Sequence, residues 1–524
     1  MNPIELSLFH QRLDAICEEM GLVLQRASLS PNIKDRLDYS CAIFDQSGDL
    51  CAQAAHIPVH LGSMAYAMAD LVQSMPWQQG DMVWLNDPDL GGTHLPDITV
   101  IAPLFYAEEL VGFIANRAHH ADIGAETGGS MPIASKLEEE GVVIAPSRFI
   151  RLGEIDSKVI EPVLARIKNR QQGYADLLAQ VSANITGLKR TSALIQQLGG
   201  GRSYRQALAA LQAYGRKMAL SGLRGIPSGA YHFQDVMDDD GQGNQDIRIA
   251  LRLEIMADKV IADFSDSARQ VKGNINCPVS VVAAAVYYVF RCLMPDNTPA
   301  TAGSFSLIEL VVPKGSFLNP EPGAAVAAGN VETSMRLVDV VMGALAQALP
   351  EQMPAASHGT MNNVALGSIV SDQKLSVENK AWDYYETIGG GAGAGPSGPG
   401  ISGRQCHMTN TLNTPIESLE MHYPLRIRRY ELARSEQECD RYDEEYSGGC
   451  GLVREYEFLE DTMVSLLTER RVHAPWGVNG ARAGSTGSNQ LDGEPIPAKV
   501  SFVANEGQYL RIQTPSGGAW RQQE

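Results

Sequence analysis

Five of the eleven histidines fall within residues 56–120, at positions 56, 60, 94, 119 and 120. Aspartates 87, 89, 97 and 122 accompany them. Imidazole and carboxylate are the usual ligands of catalytic divalent metals. Two histidines with one carboxylate leave positions open for water or substrate, which suits Zn, Mn or Fe. A lone histidine is ordinarily a hydrogen-bonded structural residue. A cluster of this size is harder to accommodate that way, because burying many ionisable groups costs free energy unless they pair or coordinate.

The elements around these residues bring them together. Met82–Leu85, Ile98–Phe105 and Leu110–Ala115 read as strands, and Tyr106-Ala107-Glu108-Glu109 is short enough to close the last two into a hairpin. The outer ends of a hairpin lie side by side, about 4.8 Å apart. His94-Leu95-Pro96-Asp97 therefore meets Arg117-Ala118-His119-His120-Ala121-Asp122. If the chain is extended at His119-His120, the two rings point to opposite faces. One of them then joins the site, and the other packs behind it or contacts substrate. The segment Asn86–Asp97, NDPDLGGTHLPD, is a loop rich in turn formers and acids, too irregular for the core.

Helical periodicity covers 3–29, 61–76, most of 158–220 with a break at Gly199-Gly200-Gly201, the apolar stretch near 281–293, and 332–349. Tyr39–Asp45 and Leu50–Ala54 flank a Ser47-Gly48 turn, strands dominate 229–320, and two short ones fall at 497–503 and 508–513. The fold class is α+β. It is a large mixed α/β protein with an N-terminal hairpin-based metal site and a Gly-rich, strand-rich C-terminal half. The expected regions are 1–157 with the metal site, 158–225 helical, 226–330 strand-rich with one buried helix, 331–480 Gly-rich and completing the site, and a tail at 481–524.

Other motifs are weaker. Gly389–Gly403, GGGAGAGPSGPGISG, reads as a flexible surface loop or a backbone nest for an anion, and composition favours the loop. Thr333 or Ser334 can cap the helix that follows. His358-Gly359-Thr360 with Asn362 and Asn363 lines a pocket or forms a turn. The chain has no phosphate-loop motif, no dinucleotide fingerprint and no nucleophile elbow.

Composition excludes several classes. Asp plus Glu number 61 against 42 Lys plus Arg, a formal charge of -19, which repels nucleic-acid backbones and anionic membranes. No apolar run reaches the roughly 18 residues that span a bilayer. The first residues lack the pattern of a signal peptide. Eight cysteines without a C-x-x-C pair suggest scattered reduced thiols and a cytoplasmic protein.

Several blocks together resemble the hydantoinase B/oxoprolinase family. They are Asp35–Ser40, His56-Ile57-Pro58-Val59-His60-Leu61-Gly62, Asn86-Asp87-Pro88, Gly91–Asp97, Asn116–Gly124, Val271-Lys272-Gly273, Gly329–Ser334 and Tyr385–Gly391. They follow the family's order from the first helix to about residue 480. The resemblance implies a cyclic amide substrate of the hydantoin or 5-oxoproline type and one divalent metal. It also implies a hetero-oligomer with a hydantoinase A-type subunit, on which ATP is used. The related carboxylases place a metal on a His-x-x-Asp pair and a later His, which fall here on His94, Asp97 and His119. His120 and Asp122 become acid/base candidates, with Asp87 and Asp38 orienting ligands. Related alternatives are a metal subunit of an ATP-dependent ketone carboxylase and a non-catalytic scaffold for the A-type subunit. One departure is Ser447-Gly448-Gly449-Cys450-Gly451, where the family often has Arg-Gly-Gly-x-Gly.

Overall fold

The expected hairpin is the centre of the largest sheet in the computed structural model, which describes residues 1–54, 56–369, 381–433 and 445–522. Strands β1 (Tyr39–Asp45), β2 (Leu50–Ala54), β3 (Met82–Leu85), β4 (Asp97–Tyr106), β5 (Glu109–His119), β6 (Ser147–Arg151) and β7 (Glu154–Ile155) form it. Their order is β2-β1-β5-β4-β3-β6-β7, and neighbours are antiparallel. The β4–β5 turn is Ala107-Glu108, with φ of 48° and 67°. Positive φ at both central residues matches the right-handed twist of the strands, even without glycine.

Strand parity assigns the two faces. Ile101, Phe113 and Ala115 pack with Met64, Met68 and Leu71 of the helix His60–Ser74. On the other face the helix Arg170–Gln197 reaches the strand backbones, with Asn184 donating to the Val100 carbonyl at 3.0 Å and Gln180 to that of Ile98 at 2.8 Å. The odd-numbered end residues Asp97 and His119 thus share the face that looks toward His60.

The first helix, Pro3–Ala27, begins with a capping box between Asn2 and Glu5. Its buried stripe is Phe9, Leu13, Ile16, Cys17, Met20 and Leu24, while Ile4 and Leu8 are exposed. The expected break near 199–201 separates Arg170–Gln197 from Gly201–Leu223, and the apolar helix is Val279–Leu293. The described residues include no helix long and apolar enough to cross a membrane.

The helix Ser334–Ala348 is preceded by a π-helical turn, Gly329–Thr333. Neither hydroxyl caps it as the sequence suggested: Thr333 donates to the Ile275 carbonyl at 2.6 Å and Ser334 to that of Asn330 at 2.5 Å. A Cβ at Gly329 would lie 1.9 Å from the Asn276 carbonyl, so only glycine passes there.

Buried ions tie this helix to its neighbours. Arg336 meets Glu469 at 3.1 Å, and Lys499 meets the same carboxylate at 2.5 Å. Arg470 joins Asp235 at 2.7 Å and Asp339 at 3.1 Å.

The Gly-rich stretch is neither a loose loop nor an anion nest. It is packed backbone against backbone with segments 447–451 and 515–518. Gly391 donates to the Pro515 carbonyl at 3.1 Å, Gly449 to that of Ala392 at 2.9 Å, and Gly517 to that of Gly449 at 2.9 Å. Added Cβ atoms would come within 1.8 Å of the Gly449 carbonyl at Gly391 and 1.9 Å of the Ala355 carbonyl at Gly393. His358 leans on this cluster, its backbone N–H donating to the Gly391 carbonyl at 2.8 Å. Burial, then the neighbouring His407, pushes its imidazole down to about 3.

The tail strands are Lys499–Ala504 and Tyr509–Gln513. Six cysteines (17, 41, 51, 277, 292 and 406) are free thiols. Cys450 is disulfide-bonded, against the expectation of reduced thiols throughout, and Cys439 lies outside the described residues.

Candidate metal centre

Register alone sets Asp97 directly opposite His119 across the hairpin. Cross-strand partners on one face have Cβ atoms about 5 Å apart. His94 joins them through a turn in which the Asp97 N–H donates to the His94 carbonyl at 3.1 Å. One ligand atom from each of His94, Asp97 and His119 lies within 4.8 Å of the others, and all three residues are buried.

The loop before Asp97 is held firmly. Asn86 donates to the carbonyls of Leu95 at 2.8 Å and Val142 at 2.9 Å, and accepts from the Ile144 N–H at 2.6 Å. Arg117 reaches Thr99, Ser63 and the Gly91 carbonyl at 2.8, 2.7 and 3.1 Å. Thr93 through Asp97 are consequently buried, although the sequence reads as an outer loop.

In this trio, Nδ1 of His94 and Nε2 of His119 have no hydrogen-bond partner, and Nε2 of His94 and Oδ1 of Asp97 have only each other, 3.3 Å apart. Buried polar atoms are rarely left so. Ligand atoms, one from each residue, close together and short of partners, fit a divalent cation. Apolar packing does not explain them.

The surroundings fix each ligand. His60 approaches the second carboxylate oxygen of Asp97 at 3.5 Å, and its other nitrogen meets the Ser40 hydroxyl at 3.0 Å. Thr93 also donates to that oxygen. His119 stacks on Tyr385, with centroids 4.8 Å apart and planes 7° from parallel, and its Nδ1 lies 3.0 Å from the Asn32 amide. Tyr385 donates to Asn363 at 2.5 Å. Burial, then the nearby His94, holds His119 well below its ordinary range. Burial pushes Asp97 up, but His94 and His60 outweigh it and hold the carboxyl well below its usual range.

A small cavity opens onto the trio, lined also by Asp38, His60, Asn330 and Tyr385. Asp38 is thus at the site. Its carbonyl accepts from the His119 N–H at 3.0 Å, and burial, only partly opposed by Arg36, raises its carboxyl.

Three residues named from the sequence as acid/base or orienting groups lie elsewhere. His120 faces the other side of the sheet, with Nε2 2.9 Å from Gln180 Oε1. Asp122 is occupied by the backbone, accepting from Gly124 at 2.7 Å and Lys168 at 2.6 Å. Asp87 caps the turn Pro88–Leu90 by accepting from the Asp89 N–H at 3.0 Å. Conversely, Asn32, Tyr385 and Asn330 had no assigned role. His60 carried a signal, as one of the five clustered histidines, and the parity of Asp97 extends it.

The match to the hydantoinase B/oxoprolinase family runs over residues 2–523. The chain belongs to that family. Its relatives include 5-oxoprolinase 1 of Arabidopsis thaliana, 37% identical over 99% of this chain and 42% of the relative. The chain thus spans about two-fifths of that relative's length. The B-type subunit of a putative D-/L-hydantoinase of Pseudomonas sp. is 29% identical over 99% of this chain and 90% of its own. Among solved structures, the ATP-dependent caprolactamase of Pseudomonas jessenii superposes with a TM-score of 0.88 at 25% identity, covering 100% of this chain and 91% of that one. Nucleotide-free acetone carboxylase shares the fold, with a TM-score of 0.85 at 16% identity over 99% of this chain and 76% of its own.

Proposed function

We propose that this hydantoinase B/oxoprolinase member is the ring-opening subunit of an ATP-dependent cyclic amide hydrolase. It works with an A-type partner that uses ATP, and it holds one divalent metal on His94, Asp97 and His119. The carrying observation is the clustering of one ligand atom from each of His94, Asp97 and His119 within 4.8 Å, all three residues buried. Relatives named for 5-oxoprolinase, D-/L-hydantoinase and ATP-dependent caprolactamase support the substrate class.

Cyclic amides resist hydrolysis because resonance makes the carbonyl a poor electrophile. Phosphoryl transfer to the amide oxygen turns that oxygen into a leaving group. Water then adds to the carbon, the ring C–N bond breaks as the nitrogen takes a proton, and a second water hydrolyses the resulting acyl phosphate to carboxylate and phosphate. A bound divalent metal supplies Lewis acidity and lowers the pKa of water. His60 and Thr93 keep Asp97 turned toward the trio, and Tyr385 fixes the plane of His119. Asp38 is the acid/base group bordering the cavity, accepting or returning the proton of the attacking water.

Elemental mass spectrometry of the wild type and His94→Ala tests the centre. The expected result is about one metal per chain, lost in the variant. The second test is ring opening of hydantoin, 5-oxoproline and caprolactam with ATP and the A-type partner. Absence of metal after supplementation overturns the metal centre. Bicarbonate-dependent consumption of a ketone, without amide hydrolysis, replaces the reaction with carboxylation.

A further inference from the structure

Asn32 is buried on the short turn Pro31–Lys34, and its amide faces Nδ1 of His119 through nitrogen at 3.0 Å. A neutral imidazole carries one N–H, so the partner of one nitrogen decides the state of the other. With the Asn32 N–H donating to Nδ1, the proton of His119 sits on Nε2, the atom turned into the site without a partner. A protonated Nε2 cannot ligate. A half-turn about the terminal torsion of Asn32 exchanges nitrogen for carbonyl oxygen with almost no change of shape. The oxygen then accepts from Nδ1–H, and Nε2 presents its lone pair. The Tyr385 stack holds the ring plane in either state.

We propose that the Asn32 amide sets the tautomer of His119: with its N–H toward Nδ1 the proton is on Nε2, and with its carbonyl toward Nδ1–H the Nε2 lone pair is free for a divalent cation. One proton changes ring nitrogen, and the ring charge is unchanged. Asn32 is therefore a positioning residue, and this role rests on the metal centre proposed above.

Two variants separate the hydrogen bond from shape. Asn32→Asp keeps an acceptor and removes the donor, and Asn32→Leu removes both. Zinc affinity by chelator competition is expected to hold or tighten in Asn32→Asp and to weaken roughly 10–100-fold in Asn32→Leu, the usual effect of losing such support. Matching circular dichroism would exclude unfolding. Equal losses in both variants, or wild-type affinity in Asn32→Leu, overturn the proposal. Histidine-selective nitrogen-15 spectra of metal-free protein, with His119 assigned by its loss in His119→Gln, give a readout that needs no metal. The expected result is a proton on Nε2 in the wild type and on Nδ1 in Asn32→Asp. The same proton position in both overturns the assignment. If the wild type binds no metal, the proposed centre falls, and the spectra still decide the role of Asn32.

Discussion

His119 and His120 are adjacent in the chain and serve opposite faces of one sheet. The first lies beside Asn32 and Tyr385, and the second is 2.9 Å from Gln180 on the packing helix. His119→Gln is therefore expected to abolish metal retention, with a stability cost of its own from the Asn32 bond and the Tyr385 stack. His120→Gln should retain metal and lose stability, because it disturbs a buried bond to a helix. Metal analysis and thermal melts on both variants check this, and the reverse pattern would show that the two roles are exchanged.

Acid should weaken the fold through His358 and His407. Burial is the leading cause that lowers both, from 6.5 to about 3 and about 4 respectively. Below pH 6.5 the unfolded chain takes up protons that the folded chain refuses, so stability falls as pH drops toward those values. Their contribution is complete above about 6.5. Urea midpoints measured across this window should decline, and His358→Gln should flatten the decline. An unchanged slope in the variant would remove His358 from the account.

Glu469 receives both Arg336 and Lys499 in the interior. Glu469→Gln leaves two buried cations facing a neutral amide. Breaking a buried pair this way typically costs about 3–5 kcal/mol. Chemical unfolding should report a loss of that order, and a loss below about 1 kcal/mol, the scale of surface pairs, would mean the cations find other partners.

The glycine cluster makes a position-specific prediction. Gly391→Ala forces a Cβ to 1.8 Å from the Gly449 carbonyl, whereas at Gly395 the nearest atom is 3.8 Å away, on Pro354. Overpacking commonly costs about 1–3 kcal/mol and sometimes more. Gly391→Ala is expected at or above that range, with Gly395→Ala near wild type in the same unfolding assay. Equal stabilities would contradict the packing described.

What the sequence made legible was local. Alternation and a short turn gave the β4–β5 hairpin, and its register carried Asp97 to His119. Helical periodicity gave Pro3–Ala27 and Val279–Leu293 within a few residues. Strand parity already separated His119 from His120 without choosing between them. Tyr385 stood at the head of the block Tyr385–Gly391 without a role, since its stack on His119 joins residues far apart in the chain. Asp122, a carboxylate beside two histidines, is engaged by nearby N–H groups that no local pattern announces. The glycines misled for a different reason. Composition does not distinguish a chain free to move from one that must pass close to others.

That close passage has a consequence for how the chain assembles. The cluster is closed by bonds such as Gly391 to Pro515 and Ala394 to Gly518, and His358 docks on it. Met361, three residues beyond His358, lines the cavity beside His94, Asp97 and His119. Loops this long gain nothing until their ends meet. During synthesis the glycine cluster therefore stays open until residues near 518 have left the ribosome. Before that point a nascent chain can hold the finished β4–β5 hairpin, with Asp97 opposite His119, while the cluster is still incomplete.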